Sequence, residues 1–439
     1  MTGSGMTRRQ FLGRAAGAAA LIGATARPTW AGPLTGRVVR AYSPSATRDF
    51  IPQGDVIREM VRAGLATLTG SRTAEEAVAA LVPRVGSEDR FVIKVNAAGS
   101  PMRVGTRPET VRAVVELLRS LPTADGYRVR AEQITVWDNA PVDHVEEVVE
   151  DLAQCLPTYR RSEWDIAPGA GLQLPHPPDD SPLEIQRVVA DADHVINLSA
   201  LKHHPLTGTT GVMKNYFGAV IRAWDLHSHQ PWMMTRKLGP WRLESEASLK
   251  VTDDTGQSAV ATAPAVEYTD ESLAQVIGQQ TQGFSAHPFQ YQGQYLLLAT
   301  GGRGATQMTV EGPLAEAIGM PVGNCYATEI RKTVPEMYAT PELGGKTRFS
   351  IIDGIQALYD RGPYIEPQEW VSTNEPTPNC LLIGTDPVAM DQAMTDVIVR
   401  ERSRRNDLEE APFDLAYLEY AEEIGLGTRA YRLIAAAVR

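Results

Sequence analysis

The segment Leu201–Gly218 (LKHHPLTGTTGVMKNYFG) concentrates the side chains best suited to chemistry. Lys202 and Lys214 supply positive charge and the threonines supply hydroxyls. Glycines at 208, 211 and 218 let backbone N–H groups approach a ligand closely. Such a mixture suits a phosphate or a carboxylate. The GxxxxGK[ST] spacing of a nucleotide-binding loop is absent, so nucleotide binding gains no support. Lys202, His204, Lys214 and Asn215 form the candidate catalytic set, with the lysines stabilising negative charge and His204 as acid or base. The competing reading is a turn rich in Thr and Gly with solvated lysines.

Elements that could position these residues follow from hydrophobic periodicity. Arg90–Asn96 (RFVIKVN) reads as a strand, and the helical spacing of Val111, Val114, Val115 and Leu118 predicts a helix over 108–121. Val129–Trp137 reads as the next strand and 142–156 as a second helix. Further strands are expected at His194–Leu198, Thr347–Asp353 and Cys380–Gly384. A helix is expected over 328–338, another opens at Asp386-Pro387, and 413–438 reads as mostly helical. This order predicts an α/β fold, a mainly parallel sheet with helices on both faces.

In such sheets ligands gather beyond the carboxyl ends of strands. Lys94, Asn96, Asp138, Asp353, Asp386 and Asp391 are therefore the candidate ligand-binding residues, beside Lys202. Asp386 has a structural competitor, because an acid before Pro387 is what a helix N-terminus prefers. Asp353-Gly354 and Asp138-Asn139 could equally form turns.

Four of the eight histidines, His203, His204, His227 and His229, fall close together. One of the adjacent pair with His227 or His229 could meet a divalent metal, completed by oxygen from Asp353, Asp386 or Asp391. No fixed metal motif such as HExxH is present. Cys155, Cys325 and Cys380 are the only cysteines, without CxxC pairing, so no protein-ligated iron–sulfur cluster is expected and at most one internal disulfide can form.

Destination is written at the N-terminus. Thr7-Arg8-Arg9-Gln10-Phe11-Leu12 precedes a weakly apolar stretch over 15–26 and small residues suited to cleavage after Ala31. This reads as a twin-arginine signal (1–31), making the export machinery a partner and the periplasm or the exterior the destination. The stretch falls short of the roughly twenty apolar residues that span a bilayer, and no later segment is long and apolar enough, so no stable span is expected after cleavage. Cleavage would remove Arg8, Arg9, Arg14 and Arg27 and no acid, taking the net charge from -11 to about -15. That balance argues against nucleic acid as a partner. Residues 241–324, rich in Gln, Thr, Ser and Gly with aromatic and β-branched residues, read as a partly β insertion dividing a core of 32–240 and 325–439. The insertion serves as a lid, a partner surface or a surface elaboration.

Taken in order, IKVN (93–96), ADHVINL (192–198), LKHH (201–204), TGVMKNYFG (210–218), IDG (352–354) and TDPVAMD (385–391) resemble the domain of unknown function 362 family. The resemblance implies an α/β domain, sometimes joined to ferredoxin-like iron–sulfur modules, and supplies no settled reaction. It implies Lys202, His204, Lys214, Asn215, Asp353, Asp386 and Asp391 as the matching motif positions, without roles. This chain has no cysteine-rich module. Two functional readings follow: an envelope enzyme acting on a small anionic or carbonyl-containing ligand, or a non-catalytic ligand-binding or maturation factor that docks a partner protein.

Overall fold

A computed structural model describes residues 32–82, 84–97, 104–138, 166–175, 183–204, 207–220, 232–235, 239–253, 256–281, 296–300, 307–318, 323–326, 330–360, 362, 366–371, 377–406 and 415–438. The proposed signal (1–31), the helix expected over 142–156, Cys155, His227 and His229 lie outside them. Two compact units are present. One takes the described residues of Met1–Pro175, Leu183–Ile221 and Val334–Arg439, the other those of His176–Pro182 and Arg222–Thr333.

The first unit is built on β1 (Arg37–Tyr42), α1 (Gly54–Thr69), α2 (Ala74–Leu81), β2 (Phe91–Lys94), α3 (Pro108–Leu118), β3 (Ile134–Trp137), β4 (His194–His204), β5 (Gly208–Thr209), β6 (Thr347–Leu358), β7 (Cys380–Gly384), α4 (Pro387–Arg402), α5 (Ala416–Glu423) and β8 (Arg432–Ala436). Its main sheet runs β8-β1-β7-β6-β4-β2-β3, with β5 folded back on the end of β4. Pairings are parallel except those of β7 with β1 and β6 and of β5 with β4. The architecture is α/β on a large, mostly parallel sheet. Val39, Ala41, Ile351, Leu381 and Ile383 pack with α1, α2 and α3 in one core. Their neighbours Val38, Ile352 and Leu382 are equally buried, as the period of two requires when both faces are covered.

Three expectations are corrected. β4 continues from Leu198 through His204, and all eleven of its residues are buried. Lys202, His203 and His204 are therefore strand residues, not loop residues. β6 likewise runs past Asp353 to Leu358. At the C-terminus, α5 stops at Glu423, where Gly425 takes φ +81° and Leu426 N–H returns to Ala421 O at 3.0 Å, a helix-ending turn. The Ala-rich run beyond it becomes strand β8, because pairing with β1 outweighs intrinsic helix propensity.

The second unit is wider in sequence than the 241–324 stretch. Its four-stranded antiparallel sheet orders Ser258–Ala263, Ala247–Asp253, Gln307–Glu311 and Gly323–Tyr326. Leu249, Val251, Ala261, Met308 and Val310 form its core with Leu273 and Ile277 of helix Asp270–Gln280. Among the described residues of both units, no helix is long and apolar enough to cross a membrane.

Candidate functional site

Strand order locates the site. From β2 the chain moves to β3 on one side, and then to β4 on the other side of β2. The carboxyl end of β2 is thus a switch point, the position in an open parallel sheet where a crevice forms between diverging connections. β2 stops at Lys94, in register with Trp137 and Asn197, while β4 runs on beyond it.

Three lysines converge here. Lys94 and Lys202 are 1 % exposed and Lys214 is 7 % exposed. The Lys94 ammonium donates to Asp138 Oδ1 and Val95 O, both at 2.7 Å. Asp138 Oδ2 accepts from Ala97 N–H at 2.6 Å, which fixes the carboxylate just past β3. Lys202 Nζ donates to Val104 O at 3.0 Å. Lys214 opens a 3₁₀ segment, Lys214–Ala219, and its ammonium lies 4.9 Å from the Phe217 ring centroid.

Burial pushes the Lys202 amine down to about 7, with Asp138 opposing the shift and Lys94 adding to it. Lys214 is also pushed down to about 7, by burial first and then by the like charges of Lys202 and Lys94. Lys94 is lowered by burial against the pull of Asp138. The cluster therefore holds amines that can be charged or neutral near neutral pH, which a solvated turn would not produce.

Alternation along β4 puts Lys202 and His204 on one face and His203 on the other. His203 feels Arg402 and Asp360, and burial first, then Arg402, push its imidazole down to about 4. His204 is 7 % exposed and pairs in register with Gly208.

Asn215 is a connector. Its Oδ1 accepts from Asn96 Nδ2 at 3.1 Å and Lys94 Nζ at 3.5 Å, and its Nδ2 donates to Asn197 Oδ1 at 2.7 Å. Gly218 closes one side: a Cβ there would stand 2.7 Å from Asp138 Oδ1 and 3.1 Å from Lys94 Nζ.

Lys94, Asn96, Asp138, Lys202, Lys214 and Asn215 are thus brought together, whereas the remaining aspartates serve the framework. Asp353, inside β6, accepts from Arg107 N–H at 3.0 Å and Thr110 Oγ1 at 2.6 Å, holding the N-terminus of α3. Asp391 accepts from the backbone N–H groups of Val212 and Met213, so it shapes the turn leading into Lys214. Burial pushes its carboxyl up to about 7 against those donors. Asp386 follows β7, and because β7 is antiparallel its carboxyl end lies at the opposite end of the sheet from Lys94. There Asp386 caps α4 through Val388 and Ala389 N–H, at 3.0 and 2.9 Å, and also accepts from Gly36 and Thr428 N–H, at 2.9 and 3.2 Å. Asp386→Ala is expected to lower stability by about 2–4 kcal/mol, a lost cap plus two stranded donors, read as a lower urea midpoint. Its affinity for phosphate should not change.

Among the described residues, no group of three or more His, Cys, Asp or Glu could hold a metal ion. Asn197 and Thr106 are positioning residues that the sequence reading missed: Thr106 Oγ1 joins Asn96 N–H to Leu198 O at 2.8 Å each. A polar Asn inside the apolar run HVINL was the available signal.

Neither the curated proteins nor the solved structures yield a match. The model of the family described as "Domain of unknown function (DUF362)" matches residues 92–396, which contain every residue of the lysine cluster, and since that is more than half of the chain, the protein belongs to this family.

Proposed function

We propose that this protein is an exported enzyme that binds a small anionic or carbonyl-containing ligand over the lysine cluster at the carboxyl end of β2. One observation carries the reading: three buried lysines, Lys94, Lys202 and Lys214, lie close enough for Lys94 to depress Lys202 and for both to depress Lys214. An anion over the cluster would favour the protonated amines that burial and like charge disfavour.

Lys94 is held in place by Asp138 and Val95 O. Lys202 and Lys214, poised near neutrality, can stabilise an anion when protonated, or remove a proton or add to a carbonyl when neutral. His204, on the face of β4 that carries Lys202, is the candidate partner in proton transfer. Export is supported by Arg8-Arg9 and the small-residue cleavage segment that follows.

Titration calorimetry of the full chain with inorganic phosphate and with pyruvate tests the binding. At least one should bind, and Lys202→Met should weaken it tenfold or more. Absence of heat with both, or equal affinity in the variant, would overturn the reading.

A further inference from the structure

The side-chain amides next to the lysines form a chain whose direction is dictated at one end. Val212 O can only accept, so the group facing it at 2.9 Å is Asn197 Nδ2. Asn197 Oδ1 must then face Asn215, where it accepts from Nδ2 at 2.7 Å. The same Nδ2 lies 3.4 Å from Leu198 O and 3.5 Å from Lys94 O, two more oxygens that cannot donate. Asn215 cannot be reversed without setting its oxygen against three others. Its Oδ1 is thereby turned to Lys94 Nζ and to Asn96 Nδ2.

At the end of this chain stands Asn96 Oδ1. It is buried, the residue is 6 % exposed, and no donor among the described residues reaches it. The backbone gives it no freedom to withdraw, because Asn96 N–H donates to Thr106 Oγ1 at 2.8 Å and Asn96 O accepts from Thr106 N–H at 2.9 Å. A buried acceptor whose orientation is forced and whose partner is missing is a specification for something else to supply the hydrogen.

Resting on the anion reading above, we propose that the ligand is an oxyanion that itself donates a hydrogen bond: a hydroxy carboxylate, or an oxyanion that keeps a proton at neutral pH, such as hydrogen phosphate. Its negative charge lies toward the lysines and its O–H is received by Asn96 Oδ1. Anions that only accept leave that oxygen unsatisfied and bind more weakly. The penalty is steep because a site built for a donor leaves its own group buried and unpaired when the donor is absent.

Calorimetric titrations at pH 7 with two matched pairs test this: glycolate against acetate, and hydrogen phosphate against sulfate, which carries no proton there. At least one donor-bearing member is expected to bind tenfold or more tightly than its partner, and the pair that shows the preference identifies the class. In Asn96→Leu that ratio should fall close to one, while in Asn96→Asp, which keeps an acceptor oxygen, it should persist with weaker binding overall. Equal affinities within both pairs in the wild-type protein would overturn the proposal while leaving anion binding intact, and so would a ratio unchanged in Asn96→Leu. If none of the four anions binds, this proposal falls, and if pyruvate gives no heat either, the anion reading falls with it.

Discussion

Lys214→Met is expected to stabilise the ligand-free protein while removing most of its affinity for anions. Methionine nearly matches the length and volume of lysine and lacks the ammonium, so the segment Lys214–Ala219 keeps its packing, including the side of Phe217 that the lysine covers. What is lost is a charge pushed from 10.5 down to about 7 by burial and by Lys202 and Lys94. Each pH unit of such a shift corresponds to about 1.4 kcal/mol, so the buried ammonium costs the folded chain on the order of a few kcal/mol at pH 6. At roughly 2–4 °C per kcal/mol, the melting temperature at pH 6 should rise by several degrees. In the wild-type protein phosphate or pyruvate should raise the melting temperature; in the variant that increment should nearly vanish. A variant that melts lower and keeps the ligand-induced increment would show that Lys214 is a framework residue and no part of the site.

The second large effect is on pH. Lys202 and Lys214 each have a folded value near 7 against 10.5 when exposed. Between about pH 7 and 10.5 these two groups bind more protons in the unfolded chain than in the folded one, so they make ligand-free stability rise with pH across that window and add no slope below it. Anion binding runs the other way, because the anion selects the protonated amines. Two sites near 7 that must both be charged give an affinity falling on the order of 100-fold from pH 6 to pH 8, with proton uptake on binding. Calorimetry in buffers of different ionisation enthalpy measures that uptake directly. Affinity independent of pH over this range would mean that the lysines stay charged throughout or do not meet the ligand.

Much of the site was legible because its residues sit where strands end. Lys94, Asn96 and Asp138 follow or close apolar β-rich runs, and both the runs and their parallel order can be read from periodicity. Asp386 carries the same local signature. Its placement at the far end of the sheet depends on β7 running antiparallel, a property of strand pairing that its own residues do not express. Lys202 falls beyond the strand expected at His194–Leu198, and LKHH lacks the apolar pattern that marks a strand. β4 tolerates those residues because they are buried beside other polar groups rather than against a hydrocarbon core. The direction of the amide chain depends on which oxygens face each nitrogen, so it lies beyond any reading of spacing. The edge strand β8 shows the converse, helix-forming residues recruited by an available partner.

Gly218 carries an implication for how this site can vary. A single methyl at that position would collide with the Lys94–Asp138 pair. A side chain at residue 218 therefore requires the ends of Asp138 and Lys94 to give way. Shortening Asp138 would make room for it and, in the same step, release Lys94 from its anchor. Positions 94, 138 and 218 are therefore coupled, and what a change at one costs depends on the residues at the other two.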